Sequence, residues 1–236
     1  MSDADGLFRP RIGVVVFPGA CDDRDALLAL ERLGAEAVPV WHQEATLPDL
    51  AAVVLPGGFS YGDYLRCGAI AQFSPAMEAV TRFAAAGGLV LGICNGFQVL
   101  CEAGLLPGAL RPNASLSFVC RDVHVVVENS RTEFTGRCEA GQRLSIPVKH
   151  GEGCWVADDA LLAQVVDRGQ VVLRYVDDVN GSRDRIAGVA NEQGNVLGLM
   201  PHPEHAVDPM LGPTGGMPLL EGLIAGAAER ASLVRI

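Results

Sequence analysis

The chain has 236 residues and a formal net charge of −10, with 49% hydrophobic and 19% charged residues. A fold of this length buries roughly 70% of its unfolded surface without staples. Its acidic surface repels phosphate backbones, and no apolar run reaches the about 18 residues of a membrane span, so neither nucleic acid nor membrane is an expected partner. In chain order, the polar, mixed-charge segment Met1–Pro10 comes first. It lacks the basic start and apolar stretch of a signal peptide, so a cytoplasmic protein is expected.

Arg11–Phe17 reads as a buried strand ended by Pro18-Gly19. Asp22 and Asp23 are N-cap candidates for a helix reaching about Leu33, with Gly34 to end it. Short strands follow near Ala37–Val40 and at Ala51–Leu55, the second ended by Pro56-Gly57-Gly58. Pro75–Ala86 has helical periodicity, and Leu89–Ile93 is apolar throughout, as a strand covered on both faces would be. Asn95–Ala103 continues as a helix stopped by Gly104. This rhythm predicts an α/β fold, an open and mostly parallel sheet with helices on both faces. The second half is richer in strands, at Phe118–Val127, Leu144–His150, Val171–Val176, Ile186–Ala190 and Val196–Met200, before a last helix at about Met217–Arg230. With no repeat and no linker, a single domain over residues 1–236 carrying a β-rich insertion is the simplest organisation.

Gly92-Ile93-Cys94-Asn95-Gly96 joins an apolar strand directly to a helix through a cysteine. Flanking glycines permit so tight a turn, which predicts a nucleophile elbow with the sulfur projecting into solvent. The positive end of the following helix dipole favours the thiolate. The six other cysteines lack this setting; packing roles are expected for Cys67, Cys101, Cys120, Cys138 and Cys154, with Cys21 in a loop. No CxxC pair or finger spacing suggests disulfides or a metal site, and with Lys149 the only lysine there is no Walker-type phosphate loop. Further on, Pro201-His202-Pro203-Glu204-His205 follows a strand. In an extended segment His202 and Glu204 share one face, as a base and its orienting carboxylate should, while His205 turns to the other. Pro56-Gly57-Gly58 ends a parallel strand too, so the N–H groups of Gly58 and Asn95 are candidates to hold an oxyanion at the sheet's carboxyl edge. The bland alternatives are a strand-end core cysteine, a solvated loop and an ordinary turn.

The stretches VVFPG (Val15–Gly19), LPGGFSYGDYLRCGAIA (Leu55–Ala71), GICNGFQVL (Gly92–Leu100), PNASLSFVCR (Pro112–Arg121), IPVKHGEG (Ile146–Gly153), IAGVANEQGNVLGLMPHPE (Ile186–Glu204) and DPMLG (Asp208–Gly212) carry a resemblance over nearly the whole chain. It resembles the glutaminase subunits of phosphoribosylformylglycinamidine synthase, small-chain type, among the class I glutamine amidotransferases. The resemblance implies a flavodoxin-like amidotransferase fold and a Cys94, His202, Glu204 triad. It implies glutamine held by Gln98 and by backbone near Ser117 and Phe118. It further implies no cofactor in this chain, ATP and Mg being used by a large synthetase partner that is joined by a small bridging subunit. Two departures stand out: FPGACDDRD where FPGSNCDRD is common, and His205 where arginine is usual. The rival readings are DJ-1/PfpI-like hydrolases, which carry histidine after the cysteine where this chain has Asn95, amidotransferases of other pathways, and a non-catalytic regulatory subunit.

Overall fold

The structure, a computed structural model, describes residues 8–233, so most of the Met1–Pro10 segment lies outside the described residues. The elements run β1 (Arg11–Val16), α1 (Asp23–Arg32), β2 (Glu36–Trp41), β3 (Ala52–Leu55), α2 (Pro75–Ala85), β4 (Leu89–Ile93), α3 (Asn95–Glu102), β5 (Ala109–Arg111), β6 (Val119–Val127), β7 (Arg143–His150), β8 (Cys154–Val156), α4 (Asp159–Asp167), β9 (Val171–Tyr175), β10 (Ile186–Ala190), β11 (Val196–Leu199) and α5 (Met217–Leu233). A nine-stranded sheet has the order β2-β1-β3-β4-β11-β10-β9-β6-β7, and β5 pairs with β8 in a small second sheet.

The neighbours from β2 to β11 pair in parallel, and those from β11 to β7 pair antiparallel. The strand-rich second half is therefore mostly a continuation of the same sheet. Every residue of β3, β4 and β11 is buried, which explains why these strands read as continuous apolar runs instead of alternating ones. Helix α1 packs on β1 and β2, α2 and α5 on β4, and α3 on β3, β4 and β11. One continuous apolar cluster links the parallel and antiparallel halves. Among the described residues, no helix is long and apolar enough to cross a membrane.

Three parallel strands end side by side, with Leu55 beside Gly92 and Ile93 beside Leu199. The loops after β3, β4 and β11 thus start from one edge, where open parallel sheets place their sites. These are the loops that carry Gly58, Cys94 and His202. The boundary is fixed locally by a buried asparagine. Asn195 donates from Nδ2 to the carbonyls of Ala84 and Gly88, each at 2.8 Å, and so seats the start of β11 against the start of β4.

Candidate active site

Cys94 is the turning point between β4 and α3. Its φ of 50° and ψ of −103° lie outside the regions a non-glycine residue normally occupies. The N–H donates to the Leu199 carbonyl at 2.8 Å, and the carbonyl accepts from Gln98 N–H at 3.2 Å, so both neighbouring elements hold the strained geometry. The flanking glycines are sterically required. A β-carbon on Gly92 would lie 2.7 Å from the Gly96 carbonyl oxygen, and one on Gly96 would lie 2.0 Å from that of Leu55. The elbow expected from the sequence is present, with one correction. The sulfur does not project into solvent: Cys94 is 5% exposed, and its thiol donates to the Lys149 carbonyl of β7 at 3.8 Å.

His202 is fully buried, and its N–H donates to the Pro147 carbonyl of β7 at 2.8 Å. Its ring bonds through Nδ1 to Glu204 Oε1 at 2.6 Å, which directs Nε2 away from the carboxylate. Nε2 has no hydrogen-bond partner of ordinary geometry, yet the sulfur's charge and a Cys94 interaction both act on the ring. Burial, the largest single influence, lowers the imidazole's proton affinity. The charges of Glu204 and Cys94 and the bond to Glu204 outweigh it and raise the pKa to about 10. The ring is thereby suited to remain an imidazolium. The local backbone differs from the extended form expected: Pro203–His205 is a 3₁₀ turn. His205 consequently does not turn to the opposite face. Its ring centroid lies 5.5 Å from that of His202, and Nε2 bonds to Asp22 Oδ1 at 3.1 Å.

Asp22 occupies the helix start the sequence assigns to it, but its side chain serves another purpose. At the N-cap of α1 it makes no side-chain cap bond. The buried carboxylate instead bonds to the ammonium of Lys149 and to His205, with Oδ2 3.8 Å from His202 Nδ1. The two positions at which the sequence departs from the resemblance, the loop ending at Asp22 and His205, therefore touch each other. Burial raises the Asp22 pKa, but the His205 and Lys149 hydrogen bonds and the charges of His202 and Lys149 win and hold it well below the usual carboxylate range. Donor atoms of Asp22, His202, Glu204 and His205 all lie within 4.8 Å of one another in one polar cluster. In this structure those atoms are engaged with one another and with Lys149.

The expected oxyanion donors lie on neighbouring strand-end loops. Asn95 opens α3, so its N–H has no acceptor within the helix. Gly58 has φ +142°, and a β-carbon there would lie 2.6 Å from Cys21 N. The Asn95 side chain ties the long loop after β3 to the elbow: Oδ1 accepts from the N–H and hydroxyl of Ser60, and Nδ2 donates to Asp63 Oδ1 at 3.2 Å and Gln98 Oε1 at 2.8 Å. Gln98 is buried and donates to the Glu152 carbonyl at 2.6 Å, so its amide is already partnered. Ser117 and Phe118 lie on the exposed loop before β6. Buried Asn113 pins that loop to the end of β7, donating to the carbonyls of Ser117 and His150, each at 2.9 Å. Of the remaining cysteines, Cys120 is exposed, which corrects its expected packing role, and all seven are free thiols. A cavity of about 760 Å³ opens at the opposite edge of the sheet, among Arg11, Glu36, Ala51 and Gly88, and holds none of these residues.

The sheet and its elbow define a class of protein, the glutamine amidotransferases, and the CobB/CobQ-like glutamine amidotransferase domain family matches residues 9–215. Phosphoribosylformylglycinamidine synthase subunit PurQ of Rubrobacter xylanophilus is 58% identical over 92% of this chain and 99% of its own length. The PurQ subunit of Frankia casuarinae is 52% identical over 96% of this chain and 97% of its own. A chain in the structure of PurLQS from Thermotoga maritima superposes with a TM-score of 0.86 at 48% identity, covering 92% of this chain and 99% of that one. A putative GMP synthase subunit from Thermoplasma acidophilum, at 15% identity and a TM-score of 0.66 over 98% of this chain and all of its own, shares the fold. The chain belongs to the PurQ family of phosphoribosylformylglycinamidine synthase subunits.

Proposed function

We propose that this chain is the glutaminase subunit of a phosphoribosylformylglycinamidine synthase, a single amidotransferase domain in which Cys94, His202 and Glu204 act together. One observation carries the assignment of residues: a strained cysteine elbow stands beside a buried imidazole oriented by its own carboxylate. Cys94 thiolate attacks the side-chain carbonyl carbon of glutamine. The N–H groups of Gly58 and Asn95 stabilise the oxyanion. His202 protonates the leaving nitrogen, the carbon–nitrogen bond breaks, and ammonia departs from a glutamyl thioester. His202 then takes a proton from water as the oxygen attacks the thioester, and glutamate leaves with the thiolate restored. Glu204 keeps Nδ1 protonated and stabilises the imidazolium. Gln98 and the backbone near Ser117 and Phe118 hold the amino acid end of glutamine.

The ammonia serves a large ATP-dependent synthetase subunit, joined by a small bridging subunit, which converts formylglycinamide ribonucleotide to formylglycinamidine ribonucleotide in purine biosynthesis. ATP and magnesium belong to that partner. Apolar side chains exposed on loops of this chain, among them Tyr64, Leu65, Leu116, Phe118 and Leu211, support assembly with other subunits. Cys94→Ala in the reconstituted complex tests the reading. Glutamine-dependent synthesis is expected to fall at least about 1,000-fold while ammonia-dependent synthesis stays within twofold. Retained glutamine hydrolysis would remove Cys94 from the role.

A further inference from the structure

Four charged or chargeable groups meet around the Nδ1 side of His202, and the triad uses only one of them. Glu204 Oε1 is bonded to Nδ1 at 2.6 Å. Asp22 Oδ2 stands 3.8 Å from the same nitrogen, from a different element. Lys149, arriving from β7, and His205, from the turn after β11, each bond the other oxygen of Asp22. This leaves Oδ2 as the oxygen that faces the ring. Glycine at position 57 keeps that approach open: a β-carbon there would lie 2.4 Å from Asp22 Oδ2 and 2.7 Å from His202 Cε1.

We propose that Asp22 is a positioning residue for His202, a second carboxylate whose charge reaches the ring and is metered by Lys149 and His205. The proposal rests on His202 being the acid–base group described above. Unit charges at the separation of Asp22 from the ring, at the effective dielectric of a protein interior, interact strongly enough to shift a proton equilibrium. The effect is smaller than that of Glu204, because Asp22 is farther away and its other oxygen is bonded by Lys149 and His205. It is also indirect, since Asp22 need not touch substrate. The titratable groups facing His202 are Glu204 and His205 on its own turn, Cys94 at the start of α3, Asp22 at the start of α1 and His150 on β7. Lys149 faces Asp22, Glu204 and Asp25.

This arrangement makes opposite predictions for two substitutions. Asp22→Asn removes a negative charge beside the imidazolium, so His202 should lose its proton at lower pH. Lys149→Met removes the cation that neutralises Asp22, so His202 should hold its proton to higher pH. The test is an NMR titration of the His202 imidazole in the full chain, which needs no assumption about catalysis. Alongside it, the pH profile of glutaminase kcat/KM is measured in the synthetase complex. Asp22→Asn should move the titration and the alkaline limb of the profile down by about one unit, a tenfold change in the proton equilibrium, with less than a twofold change in KM for glutamine. Lys149→Met should move both upward. Should Asp22→Asn fail to fold, the direction of the Lys149→Met shift decides alone. Titrations unchanged in folded variants, or shifted in the same direction in both, would overturn the proposal. A shifted titration with an unmoved kcat/KM profile would instead overturn the acid–base reading of His202.

Discussion

Burial alone would strip His202 of its proton, since a charged ring in an apolar interior is costly. Glu204 and Cys94 reverse that outcome, and His150 shows what happens without such partners. His150 is buried, and burial first, then the nearby charge of His202, lower its pKa to about 4. The two histidines therefore pull stability in opposite directions. For His202 the folded value, about 10, exceeds the ordinary 6.5, so its contribution is complete below about pH 6.5 and is lost as pH rises through about 10. For His150 the unfolded chain gains a proton that the folded chain refuses between pH 6.5 and about 4, so stability is lost as pH falls through that window. Urea midpoints measured across pH should decline on both sides of about 6.5, and His150→Gln should flatten the decline between 6.5 and 4. An acid slope unchanged in that variant would contradict the account. At this scale the sequence revealed what is local: a cysteine between glycines, and a histidine two positions from a glutamate. Asp22 was hidden because its partners Lys149 and His205 lie 127 and 183 positions away. Nothing in the sequence around an N-cap aspartate distinguishes a side chain that caps its helix from one that does not.

The junction of β4 with α3 is where chain geometry becomes chemistry. The helix must leave the strand abruptly enough to put its first turn against β3, and Gly96 is the contact point. Gly96→Ala would place a methyl group 2.0 Å from the Leu55 carbonyl oxygen, a backbone atom that cannot swing aside. Such overpacking costs about 1–3 kcal/mol or more, so the variant's urea unfolding free energy should fall by at least about that amount. A change within about 0.5 kcal/mol would show that the junction is looser than described. The parallel strands were legible because burial on both faces makes them uniformly apolar. The antiparallel extension was read only as strand-rich, since partner choice between β6, β7, β9 and β10 is set by contacts far apart in sequence. Two short strands, β5 and β8, and helix α4 escaped notice. The strands span three residues each, too few for a period to declare itself, and α4 buries only Val165 fully, leaving a weak apolar stripe.

Taken as a whole, the molecule gathers four segments far apart in the chain, ending at Asp22, Gly58, Cys94 and Glu204, on the carboxyl edge of its parallel strands, and β7 reaches them through Pro147 and Lys149. The sheet order creates that meeting: β11 joins β4 in parallel although about a hundred residues separate them, which brings the histidine turn beside the cysteine elbow. The same arrangement buries the sulfur, so chemical access to Cys94 should depend on a ligand shaped like glutamine rather than on exposure. Cys21 and Cys120 are the exposed thiols and so the natural competitors in any labelling experiment. The decisive measurement is therefore peptide-resolved mass spectrometry of the complex after treatment with a glutamine-mimicking alkylator. The adduct should appear on Cys94, be suppressed by excess glutamine, and track the loss of glutaminase activity. Activity lost with the adduct on Cys21 or Cys120 and Cys94 unmodified would contradict the account.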